Sequence, residues 1–407
     1  MKPLLVSGMT LGMIERSSGS VTVPVTRQGR WTSEPGAGVY VHIPFCKHRC
    51  HYCDFNTYEG QDSLHDAYVD ALVADIYRSP AGPPATTVFF GGGTPTLLLP
   101  QQLGRVLRAI EATSGIEPGA EITVEANPET VDERAFTGLL EVGFNRVSIG
   151  VQSLVPKVLL GLGRTHSPER ALGAIAAARR AGVTDVNADL IYGSPWEAEE
   201  DWAVSLDGVI AAEPDHVSAY ALTVEEGTPL STLVTTGRVS DVDPDLQATR
   251  HATASAVLAA AGYERYEVSN WAKPGRASAH NVLYWCAGNY LGFGAGAHGH
   301  VDGRRYWTTR LPRDFISAVT EGATTVAGAE NVDGDAQAGE ALMLGMRLVS
   351  GVQLGVFAQR FGTDAVDSRR AALERLERDG LVERSGEWIR MSERGTLLGN
   401  EVGSSLL

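Results

Sequence analysis

The stretch Tyr40-Val41-His42-Ile43-Pro44-Phe45-Cys46-Lys47-His48-Arg49-Cys50-His51-Tyr52-Cys53-Asp54-Phe55 decides how the rest of the chain reads. It opens on β-branched and aromatic residues, the composition of a buried strand over 39–44. It then sets three cysteines at i, i+4 and i+7. Thiols this close can wrap one compact metal centre. Three of them on a four-iron cubane leave one iron open to a chelating small molecule. The same spacing suits zinc, which prefers four closed ligands, with His48 or His51 as the fourth. Chance clustering is a third reading, and spacing alone does not separate the three. Disulfides are disfavoured. A short apolar run from Leu4 to Ile14 follows Lys2, but no cleavage site closes it. A reducing cytoplasm makes clustered thiols ligands rather than bridges.

Outward from this segment, short β-rich runs alternate with stretches of helical period. Strands are expected over 39–44, 87–90, 121–125, 146–151, 185–191 and 216–222, and helices over 64–78, 100–113, 132–142, 168–181 and 199–212. Asp132 can cap its helix. Ser167-Pro168 supplies an N-cap and a first-turn proline, and Gly182 closes the same helix. Strands separated by helices imply parallel pairing through crossovers, hence an α/β fold with an incomplete (β/α)6 barrel over 38–230. Barrels of this kind place their chemistry at the carboxyl ends of the strands. Cys46, Gly91-Gly92-Gly93-Thr94-Pro95, Glu125-Ala126-Asn127-Pro128, Gln152, Asp189 and Tyr220-Ala221 all fall at or near such ends. That pattern predicts one shared pocket. A phosphate-loop reading of the glycines fails, because no Gly-Lys-Ser/Thr follows.

The rhythm fades after residue 230. Residues 231–330 read as a mixed barrel extension carrying His280-Asn281-Val282-Leu283-Tyr284-Trp285. Residues 331–407 read as a helical, winged-helix-like domain, with a helix over 368–379 and a β pair over 381–383 and 388–391. Arg369, Arg370, Arg375 and Arg378 alternate there with Glu374, Glu377 and Asp379, which is not the basic face of a DNA reader. A formal charge of −15 also disfavours nucleic acid, and docking on anionic lipid by charge alone. No run approaches ~18 consecutive apolar residues, so no membrane span is expected. Residues 1–37 read as a poorly ordered extension. The whole reads as a cytoplasmic protein of 407 residues with a substantial core.

Cys-x3-Cys-x2-Cys after the first barrel strand resembles the radical S-adenosylmethionine (SAM) superfamily. The likeness continues through the Gly-Gly-Gly-Thr-Pro and Glu-Ala-Asn-Pro segments, Ser148-Ile149-Gly150-Val151-Gln152-Ser153, Leu162-Gly163-Arg164-Thr165-His166 and Asp189-Leu190-Ile191-Tyr192-Gly193, in that order. From about residue 38 to the C-terminus the chain resembles the oxygen-independent coproporphyrinogen III oxidase family. Within it, the likeness is to the haem-chaperone (HemW) branch. The resemblance implies a [4Fe–4S] cluster on Cys46, Cys50 and Cys53, whose open iron chelates SAM. It implies reductive cleavage of SAM to methionine and a 5′-deoxyadenosyl radical, with the cofactor carrying the hard chemistry. It places Gly92, Gly93 and Thr94 by the methionine end and Glu125 by the ribose hydroxyls. Gln152, Arg164 and Asp189 match further SAM-site positions, as do Tyr40, Tyr52 and Ala221. Arg164 offers a fixed donor fork for a carboxylate.

Two functions share that machinery: oxidative decarboxylation of coproporphyrinogen III, and the binding and delivery of haem. The oxidases carry a further cysteine two positions after the third cluster cysteine, where this chain has Phe55. They also carry a substrate-enclosing N-terminal segment, which residues 1–37 do not resemble. The segment His280–Trp285 matches the His-Asn-x-x-Tyr-Trp motif of the chaperone branch, and a neutral imidazole is a good haem-iron ligand. The expectation is therefore a haem chaperone with His280 as candidate haem ligand. Cys286 is expected as a buried small residue, with thiolate ligation of haem as the lesser alternative. Implied partners are haem, haem-accepting proteins including membrane-associated ones, an electron donor such as a flavodoxin, and a second copy in a homodimer.

Overall fold

The structure, a computed structural model, describes residues 25–407. Six strands lie side by side in chain order and all run parallel: β1 (Ala37–Ile43), β2 (Ala85–Gly92), β3 (Ile116–Ala126), β4 (Arg146–Gln152), β5 (Val186–Tyr192) and β6 (His216–Ala221). The connections between them carry α1 (His65–Arg78), α2 (Pro100–Thr113), α3 (Glu133–Glu141), α4 (Pro168–Ala181) and α5 (Glu199–Ala211). The local signals work as read. Asp132 accepts the Ala135 N–H at 2.8 Å, Ser167 accepts that of Arg170, and Gly182 ends α4 in the left-handed region at φ 96°. Covered by helices, the strands bury Val39, Val41, Ile43, Val88, Phe90, Val124, Val147 and Ile149 in one core.

The region beyond residue 230 lacks the alternating rhythm because its strands are short and mostly antiparallel, yet it extends both edges of the same sheet. On one side, β8 (Asn270–Ala272) pairs with β6, and β7 (Glu264–Glu267) pairs with β8. On the other, β9 (Asn289–Phe293) lies parallel to β1 and is followed outward by β10 (His298–Val301), β11 (Arg304–Thr308) and β12 (Val326–Asn331). The result is an open sheet of twelve strands with β12 and β7 at its ends, an incomplete barrel.

A short helix, α6 (Ala279–Trp285), closes the amino ends of β1 to β3 from below. Glu121 of β3 holds it there, accepting the N–H groups of Ala279 at 2.9 Å and His280 at 3.0 Å and the Ser278 hydroxyl at 3.2 Å. Glu121 and Asp185 in turn bind Arg27 and Arg146. Burial works against ionisation of Glu121, but Arg146 and Arg27 overcome it and hold the carboxyl below its usual range. Over 25–37 this differs from the expectation of a poorly ordered extension over 1–37. Residues 25–28 form a helical turn that delivers Arg27 to the barrel floor, and Trp31 is 4% exposed, packed on Phe357. Residues 1–24 lie outside the described residues.

The C-terminal domain has its own core, which includes Trp31, Val352, Phe357, Leu373 and Ile389. A three-stranded sheet, β13 (Val352–Gln353), β14 (Val382–Ser385) and β15 (Trp388–Met391), sits beside α7 (Arg370–Arg378), giving the winged-helix outline. Arg369 is spent inside it, donating to the carbonyls of Leu406 and Asp335. No helix among the described residues is long and apolar enough to cross a membrane.

Candidate functional site

A cavity of about 600 Å³ runs from the carboxyl ends of the strands down to α6, and every site position expected from the sequence lines it. Cys46, at the end of β1, and Cys50 and Cys53, in the following loop, border it as free thiols. Burial pushes the Cys46 thiol up to about 11 and raises that of Cys53, so thiolates there need a bound cation to form. Arg164 supplies part of that field, with Nη1 3.3 Å from Cys50 Sγ. Its Nη2 donates to Asn127 Oδ1 at 2.7 Å and to the Gly150 carbonyl at 3.1 Å, which fixes the fork. His51 is tied to the Gly161 carbonyl at 3.0 Å, and His48 lies by Glu59. Among the described residues no three or more Cys, His, Asp or Glu side chains converge on one ion-sized point.

The glycine run forms one wall because side chains have no room there. A Cβ on Gly93 would sit 2.4 Å from the Phe45 carbonyl oxygen and 3.0 Å from Cys46 Sγ. Gly92 has φ 112°, and a Cβ on it would strike the His42 ring at 2.4 Å. The His42 ring is fixed by the Tyr40 hydroxyl at 2.9 Å and the Asn56 carbonyl at 3.0 Å, and burial keeps it neutral. Opposite lie two carboxylates. Glu125 accepts the Gly92 N–H at 3.0 Å, and burial, then the Asp189 charge, pushes it up to about 7. Asp189 accepts the Ser148 hydroxyl at 2.8 Å and the Asn187 amide at 2.7 Å. It sits mid-strand rather than at a strand end. Gln152 holds φ 63°, a left-handed conformation rare outside glycine and at home in binding sites. Tyr52 and Ala221 complete the rim, with Phe55 beside them, 63% exposed.

His280 is brought to the same cavity but not as an open ligand. It is 2% exposed, and both ring nitrogens are engaged, Nδ1 with the Thr87 hydroxyl at 2.8 Å and Nε2 with the Tyr284 hydroxyl at 2.9 Å. Burial, then Arg146, lowers its pKa to about 3. Iron ligation by His280 would require one of these two hydrogen bonds to break. Cys286 is fully buried in the second core, as expected of a small packing residue. Sequence reading passed over Asn127, which links Thr94 to Arg164, although it stands within the quoted Glu-Ala-Asn-Pro segment. It also passed over Glu121.

Residues 40–207 match the radical SAM superfamily, and residues 332–398 match the HemN C-terminal domain. The chain is 40% identical to the haem chaperone HemW of Mycobacterium tuberculosis, over 91% of this chain and 94% of that protein. It is 33% identical to HemW of Bacillus subtilis, over 90% of this chain and 98% of that protein. The chain belongs to the HemW family. Its fold is also that of coproporphyrinogen III oxidase (HemN) from Escherichia coli, with a TM-score of 0.79 at 23% identity over 94% of this chain and 92% of that one. Radical SAM membership of a HemW chain implies a [4Fe–4S] cluster and SAM, and the thiols, glycine wall and paired carboxylates described above fit both groups.

Proposed function

We propose that the protein binds haem and hands it to haem-dependent proteins. Likeness to HemW chaperones along nearly the whole chain carries this reading. In it, Cys46, Cys50 and Cys53 hold the cluster, and Arg164 offsets thiolate charge at Cys50. Gly92, Gly93 and Thr94 let the backbone approach the methionine end of SAM. Glu125 hydrogen-bonds the ribose, Gln152, Asp189 and Ala221 border the nucleoside, and Tyr40 and Tyr52 exclude water from it. When bound, the cluster supplies an electron to SAM. Phe55 presents an exposed ring at the cavity rim, suited to the face of a porphyrin. The acceptors are haem proteins, membrane-associated ones among them. A flavodoxin-type donor serves the cluster, the site of action is the cytoplasm, and a homodimer is the working assembly.

The test is anaerobic purification and cluster reconstitution, followed by haem titration and a decarboxylation assay. Stoichiometric haem binding without carbon dioxide release from coproporphyrinogen III is the expected result. Catalytic formation of protoporphyrinogen IX with SAM and a reductant would replace this reading by the oxidase alternative.

A further inference from the structure

A second cavity, about 580 Å³, opens far from the cysteines, between edge strand β7 and the C-terminal domain. Four guanidinium groups, of Arg265, Arg347, Arg390 and Arg394, line it against the carboxylates of Glu383 and Glu393. This is a local positive excess on a chain of net charge −15. Two of the four have carboxylate partners: Arg390 pairs with Glu383 at 2.9 Å and Arg347 with Glu267 at 3.3 Å. Arg347 still keeps Nε buried without an acceptor. Arg394 donates Nη1 to the Asp379 carbonyl at 3.1 Å and makes no ion pair among the described residues.

Arg265 decides the reading. It is half-buried and likewise makes no ion pair among the described residues. Its Nη1 lies 3.5 Å from His251 Nε2. That nitrogen also lies 2.9 Å from the Val268 carbonyl, which can only accept, so Nε2 must carry the proton. One N–H therefore faces another. Burial lowers the Arg265 pKa, and the Glu393 and Glu267 charges do not make up the difference. A half-buried guanidinium with no protein acceptor among the described residues, lining a polar cavity of ligand size, leaves its donors free to take an anion.

We propose that this groove binds a small-molecule oxyanion, phosphate or carboxylate, between Arg265 of the barrel edge and Arg394 of the C-terminal domain. The ligand would bridge the two domains. The proposal is independent of the cluster, SAM and haem.

The full chain is titrated calorimetrically with pyrophosphate and, separately, with succinate, against sodium chloride at matched ionic strength. Saturable binding of one or both is expected. Pyrophosphate alone identifies phosphate as the source and succinate alone carboxylate. Arg394→Gln, at an exposed position, and Arg265→Gln should each weaken binding at least about tenfold, as expected for loss of a charge-assisted hydrogen bond. Arg108→Gln, on exposed α2 surface, should leave it unchanged. No saturable binding of either anion beyond the chloride control overturns the proposal. So does wild-type affinity in Arg394→Gln, a variant whose folding is checked by its unchanged thermal midpoint.

Discussion

The two ends of the barrel are built from opposite materials. At the mouth, thiols, bare backbone and two carboxylates face a cavity, and burial raises the pKa values of Cys46, Cys53, Glu125 and Asp189. At the floor, charges and dipoles are mostly paired with one another, although Arg146 keeps Nε and Nη2 without a hydrogen-bond partner among the described residues. Arg27 and Arg146 lie between Glu121 and Asp185, while His216 joins Asn187 at 2.6 Å to Tyr266 at 2.9 Å. The contrast separates polar groups kept for a ligand from polar groups that hold the fold. Substitution at the mouth should change what binds, and substitution at the floor should change whether the chain stays folded.

The sharpest separation is expected at Cys50. Cys50→Ala should abolish iron and sulfide after anaerobic reconstitution, measured by metal and sulfide analysis. The urea midpoint of the metal-free protein should barely move, by less than about 1 kcal/mol in stability, because the side chain is only partly buried. Retained iron would break the assignment of the mouth. Glu121→Ala is the converse. It leaves buried Arg146 and half-buried Arg27 undercompensated and strips the acceptor from α6, so urea unfolding should register a loss of about 3–5 kcal/mol. Iron content per folded molecule should stay at the wild-type level.

His280 tests which end a motif residue belongs to. His280→Ala empties a packed site and orphans the Thr87 and Tyr284 hydroxyls, at a cost of about 2–4 kcal/mol in denaturant titration. Haem affinity of the folded fraction should persist. If haem binding vanishes while stability holds, His280 is a ligand after all. The smallest effect concerns pH. With its carboxyl pushed from 4.5 up to about 7, folded Glu125 keeps a proton that the unfolded chain has released. Its contribution therefore makes stability fall as pH rises between those values. Glu125→Gln should flatten that slope in ligand-free protein by on the order of 1–3 kcal/mol across the window, read from urea midpoints at successive pH values. An unchanged slope would place the titration elsewhere.

The mouth was legible because each of its parts follows a strand recognisable on its own. Cys46 after 39–44, the glycines after 87–90 and Glu125 at the end of 121–125 need no knowledge of distant residues. The floor was not, because Glu121, Arg146 and Asp185 stand first in the expected strands 121–125, 146–151 and 185–191, where a charge reads as an ordinary solvent-facing end. Only contacts spanning 94 residues, from Arg27 to Glu121, and 158, from Arg27 to Asp185, reveal them as buried. The surroundings of His280 were hidden for the same reason. Its motif is local, but its two hydrogen-bond partners include Thr87, 193 residues away. The short antiparallel strands beyond 230 carried too few residues to display a period, so their place at both sheet edges came from the structure.

The strap formed by residues 25–31 bears on the order in which the chain is finished. It is made before every strand of the barrel, yet Arg27 waits for Asp185, Gly29 packs on Tyr266, and Trp31 packs on Phe357. β1 likewise gains its second neighbour only when β9 emerges. The six-stranded unit can assemble during synthesis, but its base stays open until Phe357 has been made. Locking the barrel thus comes after its strands are laid down, and a truncation that removes Phe357 would leave the strap without its anchor.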